Sequence, residues 1–205
     1  MSKKKKLPEL GYKFFRFTLG HLFNLYYSPK VIGKEKIPKD GPILICGNHK
    51  HVYDQCPIIM STKRVIHYMA KKEYFDGKLA WFFKMAGCIP VNRSIKDENA
   101  KSQALDVLKD NGAIGLFPEG TRNKTEQFLL PFKFGAVSMA QKTDATIVPF
   151  GLTGDYKFRS KNLTIRFGEP FKIGDMTLEE ANNKLYKEIE KLMKQNLKDE
   201  KKNRK

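Results

Sequence analysis

Short apolar runs and helix-spaced stretches alternate along this chain. The runs at 42–46, 65–69, 113–117, 146–150 and 163–167 have strand length, and most are bounded by glycine, proline, asparagine or aspartate. Such runs predict buried strands. Weaker strand patterns lie at 31–36, read as an edge strand, and at 87–93. Between the runs, apolar residues recur every three or four positions. Ala100, Ala104, Val107 and Leu108 share one face of a helix predicted over 97–109, which Asn111-Gly112 closes. A second helix is predicted over 134–143. Thr177-Leu178-Glu179-Glu180 reads as a capping box. It opens a helix with Leu178, Ala181, Leu185, Ile189 and Leu192 on one face. Shorter helical stretches fall at 54–62 and 77–86. The alternation predicts an α/β domain, a mostly parallel central sheet with helices on both faces.

The first residues break that rhythm. Residues 10–27 are dense in Phe, Leu and Tyr, interrupted by Lys13, Arg16 and His21. The longest uncharged stretch, 17–29, is shorter than the ~18–20 residues that a spanning helix needs. Aromatics flanked by cations predict instead an amphipathic helix at a membrane surface, with a helix packed on the domain's own core as the alternative. The run Lys3-Lys4-Lys5-Lys6 adds roughly 1 kcal/mol per cation near an anionic leaflet. The expected organisation is a basic amphipathic segment over 1–30, a catalytic domain over 31–195 and a basic tail over 196–205.

Charge sharpens the picture. The 205 residues hold 39 Lys and Arg against 22 Asp and Glu, a net charge of +17. That excess implies an anionic partner: a membrane surface, an acidic carrier protein or nucleic acid. Nucleic acid accounts for the charge but not for the polar blocks that close several strands, so it is not expected. Three cysteines, Cys46, Cys56 and Cys88, fit no zinc spacing and suit a reducing compartment. No signal peptide pattern opens the chain. The expected place is the cytoplasmic face of the cell membrane, held peripherally.

Candidate chemistry gathers where strands end. His49 follows the 42–46 run, and Asp54 lies five residues on. On a continuous helix that spacing separates two side chains by roughly 140°, so they meet only if the chain turns between them. A carboxylate behind an imidazole fixes its tautomer and strengthens it as a base. No serine stands at a nucleophile-elbow spacing, which points to a substrate hydroxyl as the nucleophile. The spacing alone carries little, since about one such chain in five has it by chance. Arg93 and Arg122 are fixed cations suited to phosphate. Gly120 allows close approach of backbone N–H groups to an anion, and Thr121 adds a hydroxyl donor. Glu119 fits such a site only by pinning an arginine or accepting from a hydroxyl.

The order of these blocks resembles that of the glycerolipid acyltransferases. The matching blocks are N-H-x-x-x-x-D at Asn48–Asp54, G-x-x-x-x-x-R at Gly87–Arg93, F-P-E-G-T-R at Phe117–Arg122 and V-P-F-G at Val148–Gly151. The resemblance spans about 31–171. It implies transfer of a fatty acyl group from a thioester, of coenzyme A or acyl-carrier protein, to the hydroxyl of a lysophospholipid, with phosphatidic acid as product. It implies no metal and no other cofactor. Carried over by position, His49 is the general base and Asp54 its partner. Arg122, Glu119 and Gly120 belong to the block that holds the glycerol phosphate, and Arg93 ends a second phosphate-side block. Lys71 resembles a further phosphate-side lysine, with Lys72 as its competitor. Val148-Pro149 is implied to line the acyl side. The family often has serine where this chain has His51, but only His49 keeps the family spacing to Asp54.

Overall fold

The computed structural model describes residues 6–203 except 93 and 96, with side chains from 9 to 202. Strands β1 (Lys30–Ile32), β2 (Ile43–Gly47), β3 (Ile66–Lys71), β4 (Ile89–Val91), β5 (Ala113–Leu116), β6 (Thr146–Thr153) and β7 (Thr164–Phe167) form one sheet. Their order is β1-β7-β6-β2-β5-β3-β4. Five of them, β2 to β6, run parallel. β7 is antiparallel to β6, and β1 pairs parallel with β7 at the sheet's edge. Helices α1 (Lys6–Tyr27), α2 (Gln55–Ser61), α3 (Ala80–Met85), α4 (Glu98–Lys109), α5 (Gly135–Thr143) and α6 (Leu178–Asn203) complete the chain.

Both sheet faces are covered, which is why the central strands read as unbroken apolar runs. Successive strand side chains point to opposite faces. Ile43 and Ile45 of β2 thus join Phe23 of α1 and Ile58 of α2, while Leu44 and Cys46 join α4, α5 and α6. The α6 stripe buries Ala181, Leu185, Ile189 and Leu192. Full burial of each leucine or isoleucine stabilises the fold by roughly 1.5–3 kcal/mol. The capping box forms as the sequence predicts: the Thr177 N–H donates to Glu180 Oε2 at 2.8 Å and the Glu180 N–H to Thr177 Oγ1 at 3.2 Å. The expected boundary at 196 falls inside this helix. Asn196, only 2% exposed, donates to the Gly151 carbonyl at 3.0 Å, and Asp199 pairs with Arg166.

α1 is apolar on more than one side. Tyr12 and Phe23 are buried against the domain, yet Leu10, Phe14, Phe17, Leu22 and Leu25 stand exposed. Leu79, Trp81 and Met85, in and just before α3, extend the exposed apolar surface. Phe15 of α1 packs on Phe82 and Trp81 with ring centroids 4.7 and 6.0 Å away. Among the described residues, no helix is long and apolar enough to cross a membrane.

The parallel strands bring their C-terminal ends to one edge. Gly47, Lys71, Val91, Leu116 and Thr153 close β2, β3, β4, β5 and β6 there. Loops far apart in sequence therefore meet above the sheet, where open α/β sheets bind their ligands.

Candidate active site

Two close approaches shape the end of β2. A side chain at Gly47 would bring a Cβ to 2.2 Å from the Phe150 ring of β6, so only glycine fits. Asn48 then clamps the two strands together: its Nδ2 donates to the Leu152 carbonyl at 2.9 Å, and its Oδ1 accepts the Leu152 N–H at 2.8 Å. With Asn48 4% exposed, these bonds are shielded from water. The next residue, His49, is thereby fixed at the sheet edge.

The chain turns after His49 and brings Asp54 back beneath it. His49 Nδ1–H donates to Asp54 Oδ2 at 2.8 Å. Asp54 is fully buried, and a buried carboxylate needs donors to remain charged. It has three besides His49. The N–H groups of Lys50 and His51 donate to Oδ2 at 2.6 and 2.7 Å, and the Tyr156 hydroxyl donates to Oδ1 at 2.7 Å. With Nδ1 as donor, Nε2 carries the lone pair that can accept a proton. The imidazole stacks on Phe117 at 4.0 Å and 13°, which holds the ring plane. His51 is placed differently: its ring stacks on Tyr156 at 4.4 Å, and its Nδ1 accepts the Tyr53 N–H at 3.3 Å.

Glu119 occupies another place than the substrate contact expected of it. It is 3% exposed, and both oxygens are engaged. Oε1 accepts the His49 N–H at 2.6 Å, and Oε2 accepts the Leu130 N–H at 3.0 Å. Burial pushes its carboxyl above the usual range, against the opposing pull of these N–H groups. Glu119 thus pins the backbone of His49 to the loop after β5. Gly120, at φ 71°, turns that loop back in a conformation that favours glycine.

A groove of about 1400 Å³ opens beside the imidazole. His49, Lys71, Thr121 and Arg122 all line it, so four candidates from three distant stretches of the sequence share one cavity. Its walls are largely aromatic and aliphatic, with Tyr12, Phe15, Phe23, Ile59, Met69 and Phe82 among them. Lys71 reaches Glu73 at 3.4 Å but remains about half exposed. Arg93 lies outside the described residues. Val148 and Pro149, implied to line the acyl side, are instead buried within β6, where Val148 packs into the core. Cys56 and Cys88 also face the groove, but burial pushes their thiols up to about 12 and about 11. Neither is a thiolate near neutral pH, so neither serves as nucleophile there. Among the described residues no cluster of His, Cys, Asp and Glu could hold a metal ion. Asn48 and Tyr156 escaped the sequence reading. Asn48 stands in the right block, but its partner is 104 residues away, and nothing in the spacing marks Tyr156.

Fold and site together define an α/β enzyme in which a carboxylate-steered imidazole faces a long apolar groove with cations along it. The chain belongs to the acyltransferase family, whose model matches residues 28–153. It is 30% identical over 195 residues to a protein of Bacillus subtilis (strain 168) named 1-acyl-sn-glycerol-3-phosphate acyltransferase, covering 87% of this chain and 96% of the relative. A protein of the same name from Borreliella burgdorferi is 33% identical over 148 residues, 67% of this chain and 56% of the relative. The crystal structure of PlsC, the 1-acyl-sn-glycerophosphate acyltransferase of Thermotoga maritima, superposes with a TM-score of 0.75 at 21% identity. That match covers 95% of this chain and 83% of the other, and it extends the agreement in fold to nearly the whole length.

Proposed function

We propose that this enzyme moves a fatty acyl group from a thioester of coenzyme A or acyl-carrier protein to the sn-2 hydroxyl of lysophosphatidic acid, forming phosphatidic acid at a membrane surface. One observation carries the reading: the His49–Asp54 pair borders a groove with apolar walls and with Lys71, Thr121 and Arg122 along it. An acyl chain suits the walls. A phosphate monoester suits a guanidinium, an ammonium and a hydroxyl donor. The names of the relatives from Bacillus subtilis and Borreliella burgdorferi support the same acceptor.

The chemistry needs little else. His49 Nε2 takes the proton of the acceptor hydroxyl as its oxygen attacks the thioester carbonyl. The C–S bond then breaks, and the thiolate leaves and recovers the proton from the imidazolium. Asp54 stabilises that imidazolium through Nδ1–H. General base help contributes typically 10²–10⁴-fold, and holding both substrates at the sheet edge supplies much of the rest. The exposed apolar face of α1 gives such an enzyme a way to meet its lipid where it resides, with the helix lying in the headgroup layer.

The test is release of free thiol by the purified chain, with acyl-coenzyme A and acyl-carrier protein as donors and a panel of acceptors. The panel holds lysophosphatidic acid, glycerol-3-phosphate and other lysophospholipids. Release that depends on lysophosphatidic acid supports the proposal. Release without any acceptor would make the enzyme a hydrolase, and preference for another acceptor would reassign the substrate.

A further inference from the structure

The carboxylate behind His49 is held unevenly. Oδ2 of Asp54 takes three donors, His49 Nδ1–H and the N–H groups of Lys50 and His51. Oδ1 takes the Tyr156 hydroxyl at 2.7 Å, from a residue 102 positions away. Tyr156 lies in the loop after β6 and lines neither the groove nor a smaller cleft of about 320 Å³ on the α6 side of His49. Its ring is locked by contacts with His51 at 4.4 Å, Tyr27 at 5.6 Å and Phe23 at 6.3 Å between centroids. Tyr27 and Phe23 belong to α1. The phenol is therefore wedged between the N-terminal helix and the catalytic carboxylate.

We propose that Tyr156 is a positioning residue, whose hydroxyl fixes the rotation of the Asp54 carboxylate so that Oδ2 stays on His49 Nδ1. This rests on the reading of His49 as general base. A carboxylate can turn about its last bond, and three donors on one oxygen do not stop it from sharing them with the other. A donor on Oδ1, delivered by a ring packed against His51 and α1, does. Without the phenol, a fully buried oxygen loses its partner, and the carboxylate turns to share its remaining donors, which takes Oδ2 from Nδ1 and leaves the imidazolium less supported.

The groups around the phenol are Asp54 and Cys56 from α2 and its cap, Tyr27 from α1, and His51 and Tyr53 from the loop after β2. Glu119 is bonded to the His49 backbone. Burial, with Asp54 beside it, pushes the Tyr156 hydroxyl far above the ordinary phenol range, so it remains a donor at any assay pH.

The experiment compares wild type with Tyr156→Phe, which keeps the ring and removes the donor. The imidazole resonances of His49 are followed by NMR across pH, with His51→Gln used for assignment, and the steady-state constants are measured. The variant is expected to titrate His49 at lower pH, to lose about tenfold in kcat and to keep both KM values within about twofold. An unmoved or raised His49 titration, or a loss carried by KM, would overturn the proposal. Difluorotyrosine at 156 has the same shape and donates more strongly. It should move the His49 midpoint to lower pH, and no movement would equally overturn the proposal, even if Tyr156→Phe fails to fold. The titration needs no acyl acceptor, so a wrong substrate for the enzyme and a wrong role for Tyr156 give different results.

Discussion

An imidazole serves as a base only while its ring, tautomer and backbone stay fixed, and each has a named restraint here. Phe117 holds the plane, Asp54 the tautomer and Glu119 the backbone. Of these residues the motif N-H-x-x-x-x-D announced one pairing. The structure supplied the reason for the rest, because Phe117 and Glu119 come from the loop after β5. Glu119 offers a check on the balance between its burial and its N–H donors. Its pKa is raised in the folded chain, by burial first. A group of that sign stabilises the fold most below the unfolded carboxylate pKa of about 4.3, and the benefit is lost as pH rises through the folded value. The stability of wild type relative to Glu119→Gln, measured by thermal unfolding, should therefore fall as pH rises from about 4. A relative stability that grows with pH would mean that the N–H donors outweigh burial.

At the scale of elements, the pattern of apolar runs was enough to place the seven strands and six α-helices of the described residues to within a few residues, apart from the ends of β6 and α6. The parallel strands explain why this sufficed: they are buried on both faces, so they stand out as unbroken apolar runs. Long-range pairings were not legible. Asn48 with Leu152, and Tyr156 with Asp54, join residues more than a hundred positions apart, and no spacing rule connects them. The resemblance implies that Val148-Pro149 faces the acyl side, whereas Val148 is a core residue of β6. The 77–86 stretch was legible as apolar but not as exposed; Trp81 is 56% accessible although Phe82 packs on α1. Helix α1 carries its own prediction. Phe17 and Leu22 are 71% and 62% exposed, so replacing both by glutamate should alter folding stability little, within about 0.5 kcal/mol per site. Sedimentation with vesicles of mixed neutral and anionic lipid should show retention sharply reduced for Phe17→Glu/Leu22→Glu. Equal retention of the double variant and wild type would remove α1 from the membrane account.

For the molecule as a whole, the net charge of +17, the exposed apolar face of α1 and the groove beside His49 suit one circumstance, an anionic lipid interface. On the proposed reading the charge draws the chain to such a surface, and attraction of that kind weakens with salt. The apolar face has no such dependence, so the two contributions act together rather than duplicate each other. The sheet edge then sets the His49 imidazole where strand ends converge, with the Asp54 carboxylate shielded from water beneath it. Composition and patterning indicated this division of labour in outline; the position of the base relative to the groove needed the fold.

The most direct measurement of the central claim is turnover of lysophosphatidic acid and an acyl thioester by purified His49→Ala and His51→Ala beside wild type. The account predicts a loss of at least about a hundredfold for His49→Ala, with most of the activity kept in His51→Ala. Near-wild-type turnover by a folded His49→Ala variant would contradict it.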